Sequence, residues 1–115
     1  MELEPIYRGR NLSITIKLTD NTTGQPFALE TGDELRIGFK SNPKNTSYLL
    51  SGTLEADSDN PGVFYKIWDA DQTESLVGDM VFWDVGLERD GDYYTIIAAS
   101  AWEVREPVTR KAVTS

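Results

Sequence analysis

Oxygen ligands are the main chemical resource of this chain. "EADSD" supplies Glu55, Asp57 and Asp59, and "DADQTE" supplies Asp69, Asp71 and Glu74. Grouped carboxylates can hold a cation or divide acid and base roles across a scissile bond. The second cluster imitates the opening of a calcium loop, with oxygens at alternate positions. It lacks the glycine needed at the sixth position, and Met80 stands where the bidentate glutamate belongs. Turn aspartates in water are the ordinary reading of both clusters. Glycoside hydrolysis through paired carboxylates needs a cleft on a larger scaffold. The chain has no histidine and no cysteine, so the commonest general base, the commonest metal ligand and the thiolate nucleophile are missing together. The expectation is no catalytic residue, no metal site and no cofactor.

Three other features offer binding chemistry. Arg8 and Arg10 flank Gly9 in "YRGRN" and could hold a small anion, although a turn into the first long strand is the ordinary reading. Trp68 and Trp102 sit beside charged residues at strand ends. They could stack on sugars, but the edges of a sandwich core are their usual place. The third is the aromatic stretch "DMVFWDVGLERDGDYYTII".

The elements that must position these residues follow a period of two. Leu12, Ile14, Ile16 and Leu18 alternate with Ser13, Thr15, Lys17 and Thr19, the mark of a strand with one wet face. Leu35, Ile37 and Phe39 repeat the pattern, as do Val63, Tyr65 and Ile67. "YLLSGTLE" is a less regular strand with a glycine inside it, and "AWEVREPVTR" is a last extended run. Turn clusters such as "NTTGQP", "KSNPKNTS" and "EADSDNPG" separate them. "DADQTESLVG" alone breaks the alternation, with Asp69 or Asp71 capping one short helical turn near residues 71–76. About seven strands at roughly ten-residue intervals predict one all-β domain over residues 1–115, an antiparallel sandwich.

Asp90-Gly91 is the best two-residue hairpin turn, since type I′ needs positive φ at both central positions. Folding the strands about it pairs Leu87 with Tyr94 and Val85 with Ile96. One face then carries Val81, Trp83, Val85, Leu87, Tyr94, Ile96 and Ala98 and must be core. The other face clusters Met80, Phe82, Ile97 and Ala99 away from the turn. That cluster is the candidate contact surface, to be covered either by another subunit or by the terminal run 101–110 folding back.

Nineteen acidic and eleven basic residues give a net charge of −8, which repels nucleic acid and anionic membranes. The charged start "MELEPIYRGRN" is no signal peptide, and no window is long and apolar enough to span a membrane.

Taken in order, "YRGRNLSITIKLTD", "TGDELRIGFKSNP", "GDMVFWDVGLERDG" and the closing "EPVTR" resemble the small tail and baseplate domains of tailed bacteriophages, from Tyr7 to Arg110. They are similar to the N-terminal immunoglobulin-like domain of lactococcal phage baseplate upper proteins, which attaches a long appendage to the virion. No helix or receptor-binding head follows here. The resemblance therefore implies an immunoglobulin-like virion component, a small stand-alone protein made in the host bacterial cytoplasm. Its partners would be other virion proteins or copies of itself. A carbohydrate-binding module of the same fold, using Trp68 or Trp102, is the alternative.

Overall fold

A computed structural model describes residues 4–106. Its strands are β1 (Ile6–Tyr7), β2 (Leu12–Lys17), β3 (Glu34–Lys40), β4 (Leu50–Ala56), β5 (Val63–Trp68), β6 (Met80–Arg89) and β7 (Asp92–Arg105). One short helix, α1 (Ala70–Thr73), separates β5 from β6. The all-β expectation holds. The seven strands form one sheet in the order β1-β7-β6-β3-β4-β5-β2.

That sheet turns a corner where β4 meets β5, a junction of only two residue pairs, Glu55 with Tyr65 and Ala56 with Phe64. Beyond the corner β5 and β2 pair over their full length. Inward residues of this second layer, Ile14, Phe64 and Trp68, join Leu35, Ile37, Phe39, Val81, Trp83, Val85 and Leu87 of the first in a single buried cluster. The result is a sandwich.

Local chemistry fixes the connections. Asp90 and Gly91 have φ of 53° and 82°, the left-handed pair that a type I′ turn requires. Arg89 faces Asp92, Glu88 faces Tyr93 and Leu87 faces Tyr94, as the sequence predicts. A Cβ on Gly91 would meet nothing within 4 Å, so the glycine serves the backbone alone. Gly91→Val should cost about 1–2 kcal/mol and lower the melting temperature by several degrees. An unchanged melt would mean the turn tolerates another conformation.

In α1 the Asp69 N–H donates to Gln72 Oε1, and single turns continue the coil, from Ser75 N–H to the Gln72 carbonyl and Leu76 N–H to that of Thr73. The helical turn foreseen at 71–76 therefore begins one residue earlier. Thr73 is fully buried. Its Oγ1 accepts from Gly9 N–H at 2.9 Å and donates toward the carbonyls of Arg10 and Ala70 at 2.9 and 3.0 Å. Among the described residues no helix is long and apolar enough to cross a membrane.

The tip of the β6–β7 hairpin is fastened by an ion pair. The Arg89 guanidinium donates to both oxygens of Asp33, Nη2 lying 2.6 Å from Oδ2, and the Asp33 side chain is only 3% exposed. The Glu30 N–H adds a donor to the same carboxylate. Arg89 first, and the Glu30 N–H second, hold the Asp33 carboxyl below its ordinary value. Folding therefore favours the ionised form. Its stabilisation is complete above the unfolded value of about 3.9 and is lost as pH falls through the lower folded one. Denaturation midpoints should drop as pH is taken below about 4, and Asp33→Asn should show a shallower drop. Superimposed profiles would show that this pair does not set the acid limb.

Candidate contact surface

The proposed contact residues sit on β6 and β7, whose ladder is irregular. Val85 pairs with Ile97 rather than Ile96, and Trp83 pairs with Ser100; β7 thus carries extra residues on either side of the Val85–Ile97 pair. Because strand side chains alternate, each extra residue moves its successors to the opposite face. Ile97 is therefore opposite Val85, on the core side, and packs partly buried against the core. This corrects the expected four-residue patch: Ile97 does not share a face with Phe82. The bulge also shows why Ala98, expected in the core, is exposed. Tyr94 keeps its expected partner, Leu87, yet is 50% exposed, since the second layer does not extend over the hairpin tip.

Met80, Phe82 and Ala99 remain on the outer side. Met80 is 50% exposed and faces Glu103. Phe82, half-buried, faces Lys40 and Ala101. It shares a recess of about 60 Å³ with Gly38, Lys40, Pro43, Tyr48 and Ala99. The Lys40 ammonium lies 4.7 Å from the centre of the Tyr48 ring. Part of the cover over Phe82 thus comes from the β3–β4 loop. The terminal run does not fold back as cover: residues 101–105 continue β7, and 107–110 lie outside the described residues.

Beside that recess lies a larger one of about 380 Å³, lined by Arg36, Gly38, Tyr48, Ser51, Thr53, Glu88 and Tyr93 among others. Its floor depends on two strand glycines. A Cβ on Gly38 would come 2.3 Å from Tyr48 Cε1, and one on Gly86 would come 2.2 Å from Tyr93 Oη. The two rings therefore lie down on bare backbone. Arg36 bridges Glu34 and Glu88 across the strands. Burial, then the negative charge of Asp84, pushes the Tyr93 hydroxyl pKa up. Sequence reading missed this recess. The available signal was a glycine in the middle of a strand opposite a tyrosine-bearing neighbour.

The other binding candidates are absorbed by the fold. Trp68 is 0% exposed and its indole N–H donates to the Ser51 carbonyl. Trp102 is 9% exposed and donates to the Glu4 carbonyl. Neither presents a face for a sugar, which corrects their use as glycan platforms. Arg8 spends its guanidinium on the carbonyls of Leu76 and Gly78, each at 2.7 Å, and on Glu106. Gly9 has a φ of 80°, so "YRGRN" is the turn of the ordinary reading. Asp57 accepts from the Asp59 N–H and the Asn60 amide within its own turn. Among the described residues no three acidic side chains converge on one point.

The outer edge of β7 is the remaining exposed feature. β1 pairs only with Val104 and Arg105. From Asp92 to Glu103 that edge has no strand partner among the described residues. Tyr93 and Tyr94 are 55% and 50% exposed, and Thr95, Ala98, Ala99, Ser100 and Ala101 are exposed as well.

No protein-family model matches the chain, and no curated protein is significantly similar to it.

Proposed function

We propose that the chain is a structural assembly domain, a component of a phage or prophage tail, baseplate or related appendage that works through contacts with other proteins. The observation that carries this reading is the outer margin of β7. Ten consecutive residues there, Tyr93 to Trp102, bear no charge although the chain carries −8 overall. A solvated margin of so acidic a protein is ordinarily studded with charge, and a long neutral strand edge invites pairing. Exposed Met80 extends the same side. The motif resemblance to tail and baseplate domains supplies the setting, the virion, and the kind of partner. The carbohydrate alternative loses both of its tryptophans to the core.

Particles induced from the source bacterium and purified by density gradient test the proposal. Mass spectrometry should find the chain at a fixed ratio to tail proteins. Its absence from such particles, with the protein present in the same lysate, would overturn the virion reading.

A further inference from the structure

We propose that the open edge of β7 pairs with the same edge of a second copy, antiparallel, about a two-fold axis at Ile97. This deepens, and rests on, the assembly reading by naming its first partner. Three observations lead to it.

The first is charge. Two copies at −8 repel, and screening at physiological ionic strength extends over about 8 Å. They can meet closely only where both are neutral. Tyr93 to Ala101 is such a segment, spanning about 30 Å at the rise of an extended strand. A basic partner would find no acidic side chain along this edge to recruit it.

The second is size. A two-fold antiparallel pair must centre on a residue that faces itself, because hydrogen-bonded and non-bonded positions alternate. Centring on Ile97 places Tyr93 opposite Ala101, Tyr94 opposite Ser100, Thr95 opposite Ala99 and Ile96 opposite Ala98. Each larger side chain meets a small one, and no charge opposes another.

The third is the shape of the strand. Its irregularities fall between Gly86 and Trp83 of the β6 ladder, leaving regular arms on both sides. The arm Tyr93–Thr95 of one copy would pair with the arm Ala99–Ala101 of the other. The bulged residues then lie together at the axis.

Sedimentation equilibrium and light scattering on the free protein test this. Wild type should show a concentration-dependent species of twice the 12.9 kDa chain mass. Ala99→Lys sets a charge with no counter-charge on the neutral paired edge, opposite Thr95 of the other copy, and the cost of desolvating it should weaken association roughly tenfold or more, with an unchanged unfolding midpoint. Thr95→Glu should act alike and serves if the first variant folds poorly. Mixing the two variants should restore pairing, because residue 95 of one copy faces residue 99 of the other. A wild type that stays monomeric to about 0.5 mM, well above a typical weak dimer constant, would overturn the proposal. So would an undiminished Ala99→Lys dimer, or a mixture that stays monomeric. A monomer found in virions would sink this inference and leave the assembly reading standing. A dimer missing from virions would do the opposite.

Discussion

Trp68→Ala should cost the domain about 3–5 kcal/mol, the usual range for emptying a buried large aromatic site. The ring has no exposed surface, stands edge-on to Phe39 with centroids 5.5 Å apart, and donates to the Ser51 carbonyl. It joins β5 of the second layer to β3 and β4 of the first, so its loss opens the sandwich at the corner. Domains of this size hold about 5–15 kcal/mol in total, and the variant should be largely unfolded well below the wild-type melting temperature. Urea titration followed by far-ultraviolet circular dichroism gives the difference directly. A Trp68→Ala protein as stable as wild type would mean a ring at the surface, free to stack on a sugar.

Thr73→Val should be the next most damaging change, though it preserves shape and adds no polarity. The Thr73 hydroxyl is the partner of the buried Gly9 N–H and faces the carbonyls of Arg10 and Ala70. Valine leaves these groups without it, and each buried group so orphaned costs about 1–3 kcal/mol. Thr73→Ser keeps the hydroxyl and removes one methyl, a loss of about 1 kcal/mol. Stability should therefore fall in the order wild type, serine, valine. The reverse order of the two variants would show that packing, and not the hydroxyl, holds the β1–β2 turn against α1.

The fold was legible where alternation and turn chemistry agree. Ile14, Leu35, Ile37 and Phe39 read as core from their period and are core. Asp90-Gly91 reads as a hairpin from the one requirement of positive φ, and the Arg89–Asp92 register follows. The strand count agrees for a less direct reason. "DYYTII" and "AWEVR" look like two strands because small residues lie between them, but they are one strand of 14 residues. The seventh place is taken by β1, only two residues long and hidden in a charged, turn-like stretch. Bulges were invisible. Nothing in the composition of "TIIAAS" announces that the ladder slips there, and a slip decides which isoleucine faces the core. For that reason Met80, Phe82 and Ala99 could be placed on the outer surface from sequence, whereas Ile97 could not. The tyrosine recess left only its strand glycines as a signal, since its shape depends on the β3–β4 loop and those two glycines approaching in space.

The pairing of β1 with β7 bears on how the domain meets a pull. These strands run parallel, Ile6 beside Val104 and Tyr7 beside Arg105. The chain therefore enters the pair at one end and leaves it at the other. Tension applied between residues 4 and 106 acts along both strands in opposite senses, so it slides them past each other and strains their bonds together instead of peeling them one at a time. The Arg8 N–H bonded to the Arg105 carbonyl, the Trp102 indole held by Glu4, and the Arg8 guanidinium clamped on Leu76 and Gly78 share that shear. Force arriving through the ends would thus reach the sandwich core only after this clasp had yielded.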